Sequence, residues 1–458
     1  MPFTLTRSQW VKETHLLLHL AIPLAGAQLA QAATGFVDTV MMGILGQQTL
    51  AAGALGASLF TCLLLIGTSI LASVSPLAAA AFGAGKTEEV SHVVRQGLWL
   101  AAVIALPSTV LLWQGGVLMQ ILGQEEQNTR LASAYLRAIA WGIFPALGFA
   151  VLRNFVSALS QPRPVIVIMV IGTLFNVAAN YVLMLGKLGF PALGIVGIGC
   201  ASVLSLWGMF LALTLYVLWQ PQLRTYRIFH HLQRFEKRMF WDLVQIGVPI
   251  GVLAAMETGL FTLTTFLMGQ LGTVTLAAHQ IALQTAALTF MIPLGISYAT
   301  TVRVGQEMGK NNLAGAKRAG YLGMGVGAVF MALMGLVFWT IPEAIVSLYL
   351  DIHDPENFAV VDLAKILLGI AAVFQLVDGI QVTAVGALRG IQDTQVPMLI
   401  GIFAYWCVGF SSGYVLGFPL GWGGVGLWWG LAIGLAVAAA ILTWRFSKAH
   451  LRTNVDSR

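Results

Sequence analysis

The sequence predicts an all-α integral membrane protein with twelve transmembrane helices, arranged as two pseudo-twofold related six-helix bundles. Three observations support this prediction: an apolar composition, twelve long apolar segments and an internal repeat. Hydrophobic residues make up 58% of the chain and charged residues 9%, and the mean hydropathy is +0.84. A water-soluble domain of 458 residues must present a more polar surface than this composition provides.

Each predicted span is a run of roughly 20 or more apolar residues, which is the length that crosses a bilayer core. Some runs exceed this minimum and contain a proline, which removes a backbone donor and favours a kink. A β-barrel is not predicted, because the sequence lacks its alternating ten-residue pattern. The spans lie near residues 16–44, 51–82, 93–120, 130–158, 164–186, 194–219, 241–270, 276–307, 315–341, 361–388, 396–417 and 424–446. The internal prolines are Pro23, Pro76, Pro145, Pro249 and Pro293.

An internal repeat divides the chain into halves. Residues 42–52 and 268–278 agree at eight of eleven positions with an offset of 226, and Pro23 matches Pro249 at the same offset. Each half holds six predicted spans, so both halves begin at the same face and the repeat is parallel. The predicted domains are an amino-terminal bundle over 1–219, a cytoplasmic linker over 220–240, a carboxyl-terminal bundle over 241–447 and a cytoplasmic tail over 448–458.

Basic residues are distributed unevenly between the two predicted faces. With the even-numbered loops and both termini assigned to the cytoplasm, that side holds twenty of the twenty-four Lys and Arg residues. Under the positive-inside rule, this bias predicts that both termini are cytoplasmic. The net charge of +6 is therefore explained by membrane topology, and we do not expect nucleic-acid binding.

Three acidic side chains, Asp38, Glu257 and Asp378, lie well inside predicted spans. An ionised group near the bilayer centre costs about 3 kcal/mol on insertion scales, so it usually faces a cavity, an ion or a polar partner. The alternative is a protonated acid that only joins helices by hydrogen bonds. Asp38 has no repeat counterpart, because the offset places Thr264 there. Glu257 and Asp378, at similar depth in one half, could share a proton or a cation.

Four amide side chains inside spans could complete polar sites near these acids. Asn176 and Asn180 are four residues apart on the fifth span, hence on one helical face of the amino-terminal half. Gln375 precedes the acid of the tenth span by three residues, and Gln284 lies on the eighth span. Buried amides also hold helices together, so both interpretations stay open.

The segment Gly83–Thr87 ends like a phosphate-binding loop, but the resemblance is weak. That motif has a glycine five residues before Gly85, where this sequence has Ala80. An apolar helix rather than a strand precedes the segment, whereas a phosphate loop needs a strand before it. We therefore expect no nucleotide binding.

Histidines and cysteines do not form recognisable metal motifs in this sequence. His230 and His231 in the linker have no carboxylate or thiol at ligand spacing, so a solvated linker is expected there. His279 and Gln280 follow the repeated turn near the outer face, where we expect an interfacial polar pair. The three cysteines lie in apolar segments and are expected to pack as small hydrophobes: Cys62, Cys200 and Cys407.

The segments that carry the acids resemble those of a known family. Residues 35–43, the seventh span with Glu257, and residues 374–398 are together similar to the NorM-like branch of the multidrug and toxic compound extrusion family, abbreviated MATE. The resemblance covers essentially all twelve spans. It implies two six-helix bundles forming a V, and a cation-coupled antiporter that expels bulky, often cationic, amphipathic drugs from the cell.

The resemblance also implies roles for the candidate residues. Asp38 with Asn176 and Asn180 would form a polar site in the amino-terminal half, and Glu257 with Asp378 would form a cation site. The coupling ion could be Na⁺ or H⁺, with Glu257 and Asp378 as a possible Na⁺ site and no other metal or cofactor expected. No catalytic residues are implied. We expect a monomer in contact with membrane lipids, in the plasma membrane, which is the inner membrane in bacteria.

Other functions would need features that this sequence does not show. A flippase for lipid-linked glycans, from the same superfamily, should have a more basic central cavity, whereas the basic residues here lie at the faces. An intramembrane enzyme would need a catalytic pair or metal ligands within spans. Composition does not separate a transporter from a passive channel or a receptor, but a twofold repeat with unequal intramembrane acids favours transport.

The predicted topology can be tested by labelling single cysteines in intact cells. Cysteines introduced at Gln47 and Thr273, in a background without the native cysteines, should react with an impermeant thiol reagent added outside. A cysteine at Gln233 should not react, because the linker is predicted to be cytoplasmic. Labelling of the Gln233 position from outside would overturn the topology.

Overall fold

The computed structural model describes residues 7–121, 123–230 and 232–449. This part of the chain contains twelve helices that are long and apolar enough to cross a membrane, and no strand. The predicted all-α class and number of spans are confirmed, and the chain is a multi-pass integral membrane protein. In order, the spans are Gln9–Ile44, Gln47–Gly83, Thr87–Trp113, Glu126–Ala158, Arg163–Leu185, Ile195–Trp219, Lys237–Gln270, Thr273–Gly309, Leu313–Thr340, Pro355–Gly390, Gln395–Gly417 and Gly423–Lys448.

Many large apolar side chains are exposed, among them Leu106, Leu174 and Phe266. In water such a surface would be an extended apolar patch, which soluble monomers rarely carry. In a bilayer the hydrocarbon chains cover it. The remaining short helices lie outside the spans, at Gly115–Ile121, Pro221–Arg224 and Pro342–Val346.

Two prolines coincide with breaks in the helices. The second span consists of Gln47–Leu71 and Val74–Gly83, and Pro76 cannot donate to the carbonyl four residues before it. The fourth span consists of Glu126–Ile139, a 3₁₀ turn and Ile143–Ala158. There Pro145 leaves the Trp141 carbonyl without a helical donor, and the Trp207 indole donates to it at 3.2 Å. By contrast, the helices around Pro23, Pro249 and Pro293 are continuous.

The eleventh span contains a π-helical segment that the sequence analysis does not foresee. It consists of Gln395–Ile402, the π-helix Phe403–Phe410 and Ser411–Gly417. Its glycines meet those of the twelfth span backbone to backbone, since a Cβ on Gly434 would lie 2.7 Å from the Gly409 Cα. Small residues permit this close approach of membrane helices.

The repeat found in the sequence recurs in the backbone. Gly46 precedes the second span with φ 112° and ψ 165°, and its counterpart Gly272 precedes the eighth span with φ 111° and ψ 167°. A residue with a Cβ rarely adopts this conformation. The matched glycines therefore reflect the same tight turn, built once in each half.

The chain forms two compact units whose borders differ from the predicted bundle limits. The amino-terminal unit is Gly26–Gly251, and the carboxyl-terminal unit combines Met1–Ala25 with Val252–Arg458. The first part of span 1 thus packs with the carboxyl-terminal half of the sequence, and the first part of span 7 packs with the amino-terminal half. The repeat-matched Pro23 and Pro249 lie just before the two borders.

Span 1 is held in the carboxyl-terminal unit by close packing and a buried ion pair. A Cβ on Gly295 would lie 2.5 Å from the Ala25 Cα, so spans 1 and 8 meet at their backbones. Glu13 and Arg303 are each 4% exposed, and Arg303 Nε and Nη2 each donate to the Glu13 carboxylate at 2.8 Å. Nη2 also donates to Glu307 at 3.1 Å. A two-point contact of this kind is among the strongest polar interactions in proteins.

The first part of span 7 packs in the amino-terminal unit in a similar way. A Cβ on Gly251 would lie 2.7 Å from Ile70 Cγ1 of span 2, and a Cβ on Gly247 would meet the Ile70 backbone. Two glycines one turn apart therefore leave room for the Ile70 backbone and side chain. This packing explains why the compact unit extends past residue 241.

The linker is bound to the third span rather than freely solvated. The Trp99 indole donates to the Leu232 carbonyl at 2.7 Å, and Gln96 Nε2 donates to the Arg234 carbonyl at 2.9 Å. The His92 ring lies 2.9 Å from the Glu236 carboxylate. His231 lies outside the described residues. The contacts made by the linker are thus mostly to its backbone, which its composition does not reveal.

Loss of the Glu13–Arg303 pair should destabilise the carboxyl-terminal unit. Removal of one partner of a buried ion pair costs about 3–5 kcal/mol, because the other charge stays buried with weaker compensation. Without Glu13, Arg303 would lose its two-point contact and keep the single contact to Glu307 at 3.1 Å. We expect Glu13→Ala to lower the thermal unfolding midpoint of the purified protein clearly. Glu89→Ala, which breaks the exposed Lys86–Glu89 pair, is the matched control and should change it little. Equal shifts for the two variants would contradict this account.

Candidate functional site

Asp38 lies in the second part of span 1, within the amino-terminal unit, and both of its carboxylate oxygens accept hydrogen bonds. Asn180 Nδ2 of span 5 donates to Oδ1 at 2.7 Å. Ser202 Oγ of span 6 donates to Oδ2 at 2.9 Å. The half-buried carboxyl therefore joins three spans. Tyr135 of span 4 lies close enough to interact with it electrostatically.

The two asparagines predicted from their spacing do lie together beside Asp38. Both are fully buried. Asn180 Nδ2 also donates to Asn176 Oδ1 at 3.1 Å, and Asn176 Nδ2 donates to Ser202 Oγ at 3.2 Å. Asn180 Oδ1 has no hydrogen-bond partner among the described residues. The cluster thus offers Asp38 donors while it retains one buried acceptor that could receive a ligand or a water.

Glu257 and Asp378 lie in the carboxyl-terminal unit, on spans 7 and 10. Asp378 is 6% exposed and Glu257 is half-buried. The two carboxyls are close enough that they would repel each other if both were ionised. Within the described part of the chain, Asp378 Oδ1 has no hydrogen-bond partner. A proton or a monovalent cation would remove the repulsion between the two carboxyls and would give Asp378 Oδ1 a partner.

Three further residues surround this acid pair, and the sequence analysis does not identify them as site residues. Tyr405, in the π-helical segment, interacts electrostatically with both acids, and its hydroxyl accepts a hydrogen bond from Gln381 Nε2 at 2.6 Å. The Arg389 guanidinium acts on Glu257 from the far end of span 10. The position of Arg389 near the end of its span assigns it to the cytoplasmic side and does not indicate a site residue. The only sequence signal for Gln381 is its spacing of three residues from Asp378.

The two glutamine candidates behave differently. Gln375 is buried, and its Oε1 accepts a hydrogen bond from Thr289 Oγ1 of span 8 at 3.0 Å. Gln375 Nε2 has no partner among the described residues. Gln284 is exposed on span 8, and no described contact joins it to the acids. The structure therefore brings Gln375, but not Gln284, into the polar interior of its unit.

The remaining sequence motifs provide no alternative site in the described part of the chain. Lys86, in the segment that resembles a phosphate loop, pairs with Glu89 at 2.9 Å, and the helix Val74–Gly83 precedes it. Among the described residues, no group of three or more His, Cys, Asp or Glu side chains is placed to hold a metal ion. The cysteines are free thiols: Cys62, Cys200 and Cys407.

Comparison with known proteins assigns the fold and its two repeats to one family. The family model MatE matches residues 23–182 and again residues 249–415. The chain belongs to the MatE family. The two matched segments begin at the repeat-matched Pro23 and Pro249, and between them they contain Asp38, Glu257 and Asp378. The resemblance read from the acid-bearing segments is thereby confirmed.

Several MatE relatives are similar over almost their whole length. The chain is 44% identical to a probable multidrug resistance protein NorM of Synechocystis, over 96% of this chain and 95% of the relative. It is 46% identical to a protein of the same name from Synechococcus, over 95% and 94%. Family membership identifies the chain as a transporter rather than an enzyme.

Solved transporter structures share the fold. A eukaryotic MATE transporter, AtDTX14, superposes with a TM-score of 0.85 at 20% identity, covering 97% of each chain. A transporter of the MOP superfamily from Pyrococcus furiosus superposes with a TM-score of 0.84 at 19% identity, covering 95% of this chain and 96% of that one. At these identities the similarity establishes the architecture and leaves the site chemistry to the residues of this chain.

Proposed function

We propose that this protein is a secondary active multidrug efflux transporter. It exchanges cationic or amphipathic organic compounds for Na⁺ or H⁺ by alternating access between its two bundles. The name shared by its relatives, multidrug resistance protein, supports the substrate class. The observation that carries the coupling mechanism is that Asp38, Glu257 and Asp378 lie well inside membrane spans, the first in the amino-terminal unit and the other two in the carboxyl-terminal unit.

In this proposal Asp38 binds the organic cation or a proton in the amino-terminal unit. Its carboxylate is oriented by Asn180 and Ser202, which hold the two oxygens at 2.7 Å and 2.9 Å. Because the donors are neutral, they stabilise the carboxylate without neutralising its charge. An arriving organic cation would supply the compensating positive charge. Protonation of Asp38 would remove the negative charge that attracts this cation. Substrate and proton would then compete for one group.

Glu257 and Asp378 bind the coupling cation in the carboxyl-terminal unit. Two neighbouring carboxyls in apolar surroundings hold a proton or a monovalent cation between them, because each raises the affinity of the other for positive charge. Asp378 Oδ1 provides an oxygen atom that accepts no hydrogen bond from the described residues, and the Tyr405 hydroxyl lies close to both acids. These atoms suit either ion, so the structure supports Na⁺ and H⁺ equally.

The orientation in the membrane follows from charge. The predicted topology assigns twenty of the twenty-four Lys and Arg residues to one side of the membrane, and we propose that this side is the cytoplasm. In a bacterium we propose the inner membrane as the location of the protein. There a Na⁺ or H⁺ gradient is available to drive efflux, so neither ATP nor another nucleotide is needed.

Amide replacements of the three acids test the proposed coupling. Asp38→Asn, Glu257→Gln and Asp378→Asn keep size and hydrogen bonding but lose the charge that binds a cation. We expect normal membrane insertion and gradient-driven efflux slowed by about tenfold to a hundredfold, since a hydrogen bond to a charged group is worth about 1.5–3 kcal/mol. The measurement is drug efflux with ion counterflow in proteoliposomes at matched protein content.

The matched control for this experiment is Asp362→Asn. Asp362 is also on span 10, but its side chain is 77% exposed, so its replacement should leave efflux unchanged. The antiport mechanism is wrong if all three amide variants transport like the parent protein. It is also wrong if liposomes without an ion gradient transport only after ATP is added.

A further inference from the structure

Span 8 carries a buried histidine that the proposed transport sites do not use. His279 is fully buried, and both of its ring nitrogens make hydrogen bonds. Trp428 Nε1 of span 12 lies 3.2 Å from Nδ1, and Thr265 Oγ1 of span 7 lies 3.0 Å from Nε2. The sequence predicts an interfacial polar pair with Gln280 here. The structure instead buries His279, because spans 7 and 12 both pack against its ring.

The hydrogen-bond directions determine the protonation of this ring. An indole N–H can only donate, so Nδ1 of His279 must accept and carries no proton. The Thr265 hydroxyl donates to the Phe261 carbonyl at 3.0 Å. The Thr265 oxygen can therefore accept a hydrogen bond from the Nε2–H group of His279. The ring is therefore neutral, with its proton on Nε2. A doubly protonated ring has two donors and cannot keep the bond to Trp428.

Trp428 is also part of an aromatic layer, which consists of Phe261, Phe374 and Trp428. The rings of Phe374 and Trp428 pack edge to face with centroids 5.5 Å apart. Those of Phe261 and Phe374 do so at 6.1 Å. The His279 ring packs against Trp428 at 5.8 Å. Spans 7, 8, 10 and 12 are thus joined at one level of the carboxyl-terminal unit.

The aromatic layer lies one helical turn from the acid pair. Phe261 follows Glu257 by four residues on span 7, and Phe374 precedes Asp378 by four residues on span 10. In the predicted topology span 7 runs from the cytoplasm outward and span 10 runs from outside inward. Phe261 and Phe374 therefore both lie on the outer side of the acid on their own span. One turn corresponds to about 5.4 Å along the axis. The layer therefore separates the acid pair from the predicted outer face.

No ion pair of the described residues involves His279. On span 12 the apolar run from Gly423 to Trp444 contains no charged side chain, and on span 8 the first charged residue after His279 is Arg303. The acids nearest along spans 7 and 10 are Glu257 and Asp378, beyond the aromatic layer. Span 9, which also packs against span 8, has its charged residues only near its beginning, at Lys317 and Arg318. A proton added to the ring would therefore meet no contacting carboxylate that stabilises it.

We propose that the aromatic layer is the outer seal of the Glu257–Asp378 site, and that His279 is a positioning residue that closes this seal only while neutral. The inference rests on the proposed function, since it assigns an entry route to the same cation site. A proton from the outer medium that binds Nδ1 converts an acceptor into a donor and ends the hydrogen bond from Trp428. Trp428 can then leave Phe374 and open the route to the acid pair.

Nuclear magnetic resonance of the full-length protein in lipid nanodiscs tests the seal without any transport. With ¹⁵N-labelled histidine and tryptophan, His279 should show the neutral form with its proton on Nε2 at neutral pH. On acidification, the His279 and Trp428 signals should change together. Trp428→Phe assigns the indole signal, and Trp429→Phe on the same helix is the control. A proton on Nδ1 at neutral pH, or an unchanged Trp428 signal when His279 takes up a proton, would overturn the proposal.

Transport at two outer pH values tests its consequence. We would compare about pH 7.5 with about pH 4, because the lower value must lie far below the ordinary imidazole pKa of about 6.5 to protonate a ring that no contacting carboxylate stabilises. The parent should transport faster at the lower pH, because protonation of His279 opens the seal. The glutamine of His279→Gln can still accept from Trp428 and donate to Thr265, but it cannot be protonated. This variant should therefore match the efflux rate of the parent at the higher pH and show no increase at the lower pH. Trp428→Phe, which removes the bonding N–H, should increase ion leak without substrate at both values.

A pH profile of His279→Gln identical to that of the parent would refute the seal. So would an unchanged leak in Trp428→Phe. A parent protein without any gradient-driven efflux would instead refute the proposed function, and the spectroscopic result would still decide whether His279 holds Trp428 only when neutral.

Discussion

The structure depends on one constraint, which is the high cost of an unpaired charge in an apolar environment. The chain meets this constraint in two different ways. Glu13 and Arg303 satisfy each other through two hydrogen bonds at 2.8 Å, and this pair fixes span 1 in the carboxyl-terminal unit. Asp378 is equally buried but retains an oxygen without a partner among the described residues. The first arrangement suits a structural role, and the second leaves a place for an ion that comes and goes.

Duplication supplied the scaffold, whereas the polar groups were placed separately in each half. Gly46 and Gly272 keep nearly identical backbone angles at matched positions. The counterpart of Asp38 is Thr264, whose hydroxyl donates to the Leu260 carbonyl within its own helix at 2.9 Å. The counterpart of His279 is Gly53. The two units therefore have the same topology and different chemistry, as is expected if one handles the organic compound and the other handles the ion.

Apolar length was sufficient to predict all twelve spans, because a bilayer imposes that length on every crossing helix. Acidic residues inside those spans were visible in the sequence because a charge within the bilayer is costly. The spacing of Asn176 and Asn180 correctly placed them on one face. Ser202, Tyr405 and Arg389 were not visible, since a neutral hydroxyl or a charge near a helix end carries no comparable cost. The borders of the compact units depend on helix–helix contacts at Gly251 and Gly295, which local sequence does not encode.

The central claim is that a carboxyl group inside the membrane exchanges a cation for the organic substrate. The most direct test is to add an organic cation such as ethidium to the purified protein in lipid nanodiscs and to measure the release of H⁺ or of radioactive Na⁺. The account predicts that binding of the organic cation releases one of these ions, and that a variant with all three acids replaced by amides releases neither. Binding of the organic cation with no release of either ion from the parent protein would contradict it.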